Sequence, residues 1–148
     1  MAIKGAIRIE VEHETVFPAG VLLLSVDRQI DFERRGKGDD QARDKESGER
    51  VWVVKVMDQD PEARQSEVRV KVTSPHMPVP PAPQVEGFPP RVEFVDLTLT
   101  PYLDSSRRCS ADRCGSRQAY SLRATGIREP ARGVRKSERA SATGGTGG

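Results

Sequence analysis

The chain has 148 residues, the usual size of one domain, so two independent cores are not expected. Hydrophobic residues make up 35% of the chain and charged residues 31%, and there are 13 Gly and 11 Pro. This composition is enough for one small core but does not predict a chain that is ordered from end to end. No run of about 18 apolar residues occurs and the first residues lack the apolar stretch of a signal peptide, so we expect no membrane span and a cytoplasmic protein.

The net charge of +2 is unevenly distributed along the chain. Residues 1–103 hold 14 Lys/Arg against 18 Asp/Glu, whereas residues 104–148 hold 10 against 4. An acidic body with a basic tail is typical of proteins with a polyanionic partner. The same composition also fits a solvated, disordered tail whose charge only keeps the chain in solution.

The first half of the chain reads as a series of strands. Alternation over residues 7–11 predicts a half-buried strand, and the apolar run 21–26 predicts a buried one that continues toward Ile30 and Phe32. The polar stretch 34–50 reads as a long hairpin connection with an extended piece at 41–44 and a turn at 46–48. The β-branched run 51–57 predicts a central strand, and alternating Val at 68, 70 and 72 predicts a one-sided strand.

Seven prolines between residues 75 and 90 define a Pro-rich segment over 74–91, because proline cannot donate ladder hydrogen bonds. It reads either as a stiff crossover that returns to the same domain or as a ligand for an aromatic-lined groove. Strand signals resume at 92–94, 97–102 and 119–124, around a polar loop over 104–117. The Arg, Ser and Gly composition of residues 128–148 predicts a disordered basic tail.

These elements predict an all-β fold. We expect one β domain over residues 1–127, built as a small antiparallel barrel or sandwich, with an OB-like barrel as the first choice because the strands are short and no long helix is indicated.

The residues with catalytic or metal-binding chemistry do not form a recognisable site. Cys109 and Cys114 are spaced C-x₄-C. They fit three interpretations: two of the four ligands of a structural zinc site, a redox pair, or two free thiols. His13, expected on an exposed or edge strand, and His76, in the Pro-rich segment, have no paired ligand nearby in sequence. The chain has no phosphate-binding loop, nucleophile elbow or zinc helix, so we expect no enzyme activity, no cofactor and no metal.

Nucleic-acid binding is the one chemistry that the residue pattern favours. Lys55, Arg69 and Lys71 are expected on one face of neighbouring strands as phosphate contacts, and Trp52 is the strand ring best suited to base stacking if it is exposed. A core of this size needs most of the seven aromatic rings, so core packing is the competing interpretation of Trp52. The tail adds three further candidate phosphate contacts, Arg132, Arg135 and Lys136.

A series of sequence blocks resembles the Pra-type proteins of actinobacterial integrative plasmids over roughly residues 3–128. The blocks are QARDKESG at 41–48, VWVVKV at 51–56, DQDPEAR at 58–64, EVRVKV at 67–72, VPP at 79–81, VEF at 92–94, LTLTPY at 97–102 and AYSLRA at 119–124. The resemblance implies an activator of plasmid replication, integration and excision that acts on expression of the element's genes.

Three functions therefore stand as hypotheses. The first is a regulatory protein of a mobile genetic element that contacts duplex promoter DNA or the transcription machinery. The second is an OB-like accessory protein that binds single-stranded DNA during plasmid replication or transfer. The third is an interaction module without nucleic-acid contact, which the acidic body favours.

Overall fold

The computed structural model describes residues 7–104 and 117–131. These residues form eight strands, one short helix and a single 3-10 turn at Phe32–Arg34. The strands and the helix, in chain order, are β1 (Ile9–Glu10), α1 (His13–Val16), β2 (Val21–Arg28), β3 (Val51–Asp58), β4 (Glu67–Thr73), β5 (Arg91–Val95), β6 (Thr98–Asp104), β7 (Arg117–Ala124) and β8 (Gly126–Arg128). None of the described residues forms a helix that is long and apolar enough to cross a membrane.

All eight strands belong to one curled sheet that forms a half-barrel, with the order β1-β6-β7-β4-β3-β2-β5-β8. The all-β, barrel-like prediction is therefore confirmed. The antiparallel prediction needs a correction, because β4 and β7 run parallel with Val70 opposite Leu122. The OB-like choice is not confirmed: an OB barrel has five strands, whereas this sheet has eight in a different order.

The hydrophobic core lies on one face of the sheet, which we call the core face. Strict alternation in β4 buries Val70 and Val72 and leaves Arg69 exposed, because successive side chains of a strand point to opposite faces. Val54 and Val56 of β3 are fully buried opposite β4. The opposite face, which we call the outer face, therefore holds the polar residues of the same strands.

The Pro-rich segment connects two strands of the same sheet. It leads from β4 to β5, which lie on either side of the β3–β2 pair. Gln84 fixes its end because its side chain accepts a hydrogen bond from Arg91 N (2.8 Å) and donates to Arg91 O (3.3 Å). Pro78 is buried, whereas Val79 is 81% exposed. The segment thus connects two strands of the same sheet, while its interpretation as a ligand for an aromatic-lined groove stays a prediction.

The structure corrects two expectations at the ends of the domain. His13 lies in α1 rather than on an exposed strand, and it is buried. Its Nδ1 accepts a hydrogen bond from Phe94 N at 3.2 Å, so the buried ring satisfies a backbone N–H group of β5. Arg128 belongs to β8 rather than to a tail beginning at 128, because it pairs with Glu93 of β5.

Several predicted features fall outside the described residues. The loop predicted over 104–117 is described only at its ends, where Asp104 pairs with Arg117 between β6 and β7. Cys109 and Cys114 lie outside the described residues, as do the tail residues Arg132, Arg135 and Lys136.

Candidate nucleic-acid interface

The strand register brings the three predicted phosphate-binding residues of the sheet together on the outer face. Lys55 of β3 lies directly opposite Arg69 of β4, and Val53 lies opposite Lys71. Because paired residues of neighbouring strands point to the same face, Lys55, Arg69 and Lys71 form one group, which we call the basic face.

The cations of the basic face differ in how far they are neutralised. Lys55 Nζ lies 3.6 Å from Glu67 Oε1. Within residues 7–104 and 117–131, no carboxylate lies within ion-pair distance of Arg69 or Lys71. Arg69 is exposed, whereas Lys71 is half-buried, so burial, followed by the repulsion of Arg123, lowers the pKa of Lys71. The face therefore retains positive charge that its own residues do not compensate.

Two residues that the sequence analysis missed extend the basic face. Arg123 of β7 lies directly opposite Lys71 across the parallel pair. Its Nη1 lies 3.3 Å from Asp44 Oδ1, and Arg8 Nη2 lies 3.2 Å from the same oxygen. The sequence predicts the strand that holds Arg123, but it gives no sign that β7, which begins at residue 117, lies beside β4, which ends at residue 73.

Asp44 is the buried anchor of this arrangement. It lies in the connection between β2 and β3, and its side chain is 6% exposed. Its Oδ2 accepts hydrogen bonds from Ser47 N and Ser47 Oγ, each at 3.1 Å. Burial alone raises the pKa of this carboxyl group, but the hydrogen bonds from Ser47 and then from Arg8 outweigh it, and the pKa is lowered. Asp44 therefore stays ionised.

The connection that carries Asp44 folds back on the sheet and is held there by its polar residues. Gln41 is 1% exposed; its amide donates to Val51 O at 3.0 Å and accepts from Arg50 Nη1 at 2.9 Å. Arg50 also pairs with Asp39 at 2.9 Å, and this hydrogen bond, followed by that from Gln41 N, lowers the pKa of Asp39 to about 2. The turn predicted at 46–48 lies one residue earlier, at 45–47.

A pocket of about 490 Å³ lies between this connection and the sheet. We call it the loop pocket; Arg8, Lys71 and Arg123 line it from the sheet side, and Ile30, Phe32 and Asp44 line it from the connection. In all, five cationic and three acidic side chains line it. The loop pocket thus opens at one end of the basic face.

Trp52 is not available as a stacking ring, which corrects that part of the predicted site. It is 8% exposed in the core, on the opposite face from Lys55, and its Nε1 donates to Ser74 O at 2.9 Å. The exposed rings of the described residues include Tyr102 (49%) on the outer face, opposite Ala119, and Phe32 (78%) at the loop pocket. The two-residue period of β3 carried this signal, because it places Trp52 on the same face as Val54 and Val56 and on the opposite face from Lys55.

Another pocket among the described residues has a charged lining that is mainly acidic. It holds about 510 Å³ beside β1, α1 and β5, and Glu10, Glu12 and Asp96 line it together with His13. Burial lowers the pKa of His13 more than the neighbouring Glu93 and Glu14 raise it. The described residues contain no group of three or more His, Cys, Asp or Glu side chains arranged to hold a metal ion. Because this pocket is acidic, polyanion binding favours the basic face.

Comparison with known proteins gave no match of any kind. No protein-family model matches the chain, and neither a curated protein nor a solved structure resembles it significantly.

Proposed function

We propose that the protein is a non-enzymatic regulator of a mobile genetic element that activates plasmid replication, integration and excision by contacting duplex DNA near the element's genes. The resemblance of the sequence blocks to Pra-type proteins supplies the biological role. The observation that carries the contact with DNA is the basic face, where Arg69 and Lys71 have no carboxylate partner among the described residues.

The chemistry of the basic face suits phosphate contact rather than base reading. Its side chains project from a sheet, and Arg and Lys donors bind phosphate oxygens without selecting a sequence. Each phosphate contact releases counterions, so the affinity falls with salt, with a slope of about 0.9 per contact on duplex DNA. The proposal therefore predicts salt-dependent binding to which Arg69 and Lys71 contribute measurable shares.

The test is fluorescence anisotropy of the full chain with a labelled duplex from the element's promoter region, across a salt series. We expect the Arg69→Ala, Lys71→Ala double variant to reduce the salt slope by roughly 2 and to weaken binding. The matched control is Arg64→Ala, which removes a cation from the exposed β3–β4 turn. An unchanged slope in the double variant, or an equal loss in the control, would contradict the proposed interface.

The tail is tested in the same assay. Replacing Arg132, Arg135 and Lys136 with Gln in the full chain removes the three predicted phosphate contacts of the tail. A drop in the slope comparable to that of the double variant assigns the tail a share of the binding. If the salt slope does not change, the residues of the basic face account for the binding without the tail.

A single-stranded-DNA accessory protein is the alternative function. The exposed ring of Tyr102 on the outer face favours it, because bases of single strands stack on exposed aromatic side chains. Tight binding to single strands without sequence preference, weakened by Tyr102→Ala, would support this alternative over the duplex regulator. The absence of binding to either form of DNA would leave activation through a protein partner.

A further inference from the structure

Three cationic side chains, Arg8, Lys71 and Arg123, lie at the inner end of the loop pocket. Two carboxylates compensate them, Asp44 and Glu46, because Arg8 Nη1 also lies 3.2 Å from Glu46 Oε2, so one positive charge is left over. Arg8 and Arg123 both donate to Asp44 Oδ1, and Ser47 supplies two donors to Oδ2. Both oxygens of the carboxylate are therefore already occupied. Lys71, which lines the same pocket, has no acidic partner within the described residues.

This arrangement leaves an ammonium group with unused donors beside two guanidinium groups. The lowered pKa of Lys71 reflects the same crowding, because burial and the neighbouring Arg123 both disfavour its charged form. An anion that enters the pocket offsets both effects. Phosphate is a suitable anion, because it accepts several charge-assisted hydrogen bonds from Lys and Arg at once.

The outer part of the pocket has a different character. Phe32 is 78% exposed at its rim, and its chain neighbours Asp31 and Glu33 also line the pocket. The half-buried Ile30 and the buried Val51 add apolar surface to the lining. The ring stands on the 3-10 turn that Asp31 caps, since Asp31 Oδ1 accepts from Glu33 N at 3.1 Å. An exposed aromatic face beside a cationic pocket matches a ligand with a flat ring at one end and a phosphate at the other. The volume of about 490 Å³ lies in the usual range of small-ligand sites.

We propose that the loop pocket binds a nucleotide, with its phosphate on Lys71 and Arg123 and its base stacked on Phe32. The nucleotide is either free in solution or one unit of a DNA strand, because both present the same phosphate and base. Only the binding of a unit of a DNA strand rests on the proposed function; the binding of a free nucleotide does not. Lys71 belongs to both sites, whereas Phe32 lines only the loop pocket and Arg69 belongs only to the basic face, so Phe32→Ala and Arg69→Ala separate the two proposals.

The experiment is isothermal titration calorimetry of the full chain with 2′-deoxyadenosine 5′-monophosphate. We expect Lys71→Gln to weaken binding roughly tenfold or more, as for the loss of a hydrogen bond to a charged group. Phe32→Ala should weaken it at least about fivefold, as for the loss of one stacked base. The matched controls are Lys37→Gln, outside the pocket, and Phe88→Ala, a ring that is 64% exposed in the Pro-rich segment. Both controls should bind as the unchanged protein does.

Comparison ligands separate the parts of the proposal and the two sources. Deoxyadenosine lacks the phosphate and therefore measures the contribution of the phosphate to binding. Inorganic phosphate lacks the base and measures the contribution of the base. Both should bind more weakly than the nucleotide. An adenine oligonucleotide without terminal phosphates should displace the nucleotide if the ligand is a unit of a strand, and should fail to displace it if the ligand is a free nucleotide.

The proposal is overturned if the nucleotide does not bind, or if neither Lys71→Gln nor Phe32→Ala weakens its binding. It is also overturned if inorganic phosphate binds as tightly as the nucleotide. The Arg69→Ala variant distinguishes this site from the duplex interface, because it should weaken duplex binding and leave nucleotide binding unchanged. Loss of one activity without the other therefore shows which of the two proposals fails.

Discussion

The buried position of Trp52 gives the sharpest test of the fold. The side chain is 8% exposed, lies opposite Val72 in the register, and donates a hydrogen bond to Ser74 O. Replacement of a large buried aromatic side chain with Ala costs about 3–5 kcal/mol. The lost hydrogen bond leaves the Ser74 carbonyl without this donor, which costs about 1 kcal/mol more. Total stabilities of small domains are about 5–15 kcal/mol, so Trp52→Ala should remove a large share of the stability.

The measurement is urea-induced unfolding followed by far-UV circular dichroism. Intrinsic indole fluorescence is unsuitable because Trp52 is the single tryptophan of the chain. Trp52→Phe separates the two contributions, since it keeps a ring and removes only the donor and part of the volume; we expect a loss of about 1–2 kcal/mol. Tyr102→Ala, which removes an exposed ring, should change the stability by no more than about 0.5 kcal/mol.

The same variants decide whether Trp52 contacts DNA. Trp52→Phe should bind duplex and single-stranded DNA as the unchanged protein does, because the indole faces the core. A Trp52→Ala protein that lost less than about 1 kcal/mol of stability and bound DNA clearly more weakly would refute this reasoning. It would mean that the ring is a stacking platform on the surface.

Two further predictions concern the ends of the half-barrel. The pKa of His13 lies below its ordinary value of 6.5 in the folded state, so the unfolded chain binds more protons and the free energy of unfolding should fall as the pH drops below about 6.5. His13→Asn keeps an acceptor for Phe94 N and should lack this component of the pH dependence in urea titrations. The control His76→Asn should retain it. An equal dependence of the free energy of unfolding on pH in both variants would contradict the assignment to His13. Arg128→Ala leaves the buried Glu93 without its ion pair at 2.7 Å and should cost about 1–3 kcal/mol, reduced from a fully buried pair because Arg128 is 55% exposed. A chain that ends at Ile127 should lose at least as much free energy of unfolding as Arg128→Ala. Unchanged stability in both proteins would show that the domain ends before Arg128.

The local pattern of the sequence predicted much of the secondary structure. The alternation at 67–72 and the β-branched run at 51–57 correspond to β4 and β3, because a strand that is buried on one face must alternate apolar and polar residues. The same alternation placed Arg69 and Lys71 on one face. The hairpin register then brings Lys55 beside them, as the spacing suggested.

His13 and Arg128 show where local pattern was insufficient. Both were misplaced because each is fixed by β5, which lies far from them in the chain. His13 satisfies Phe94 N, and Arg128 neutralises Glu93. Neither partner is visible in the residues next to His13 or Arg128, so the sequence suggested an exposed strand for one and a disordered tail for the other.

Local sequence pattern accounts for the long strands β2, β3 and β4 and for the alternation of β4, because these follow from a two-residue period or an apolar run that neighbouring residues display. Which strands lie side by side depends on packing between distant parts of the chain, and the parallel pairing of β4 with β7 is the clearest case. That pairing places Arg123 beside Lys71, and the folded connection adds Asp44 and Phe32 to the same region. The loop pocket exists because residues distant in the chain are packed together, which no local period encodes.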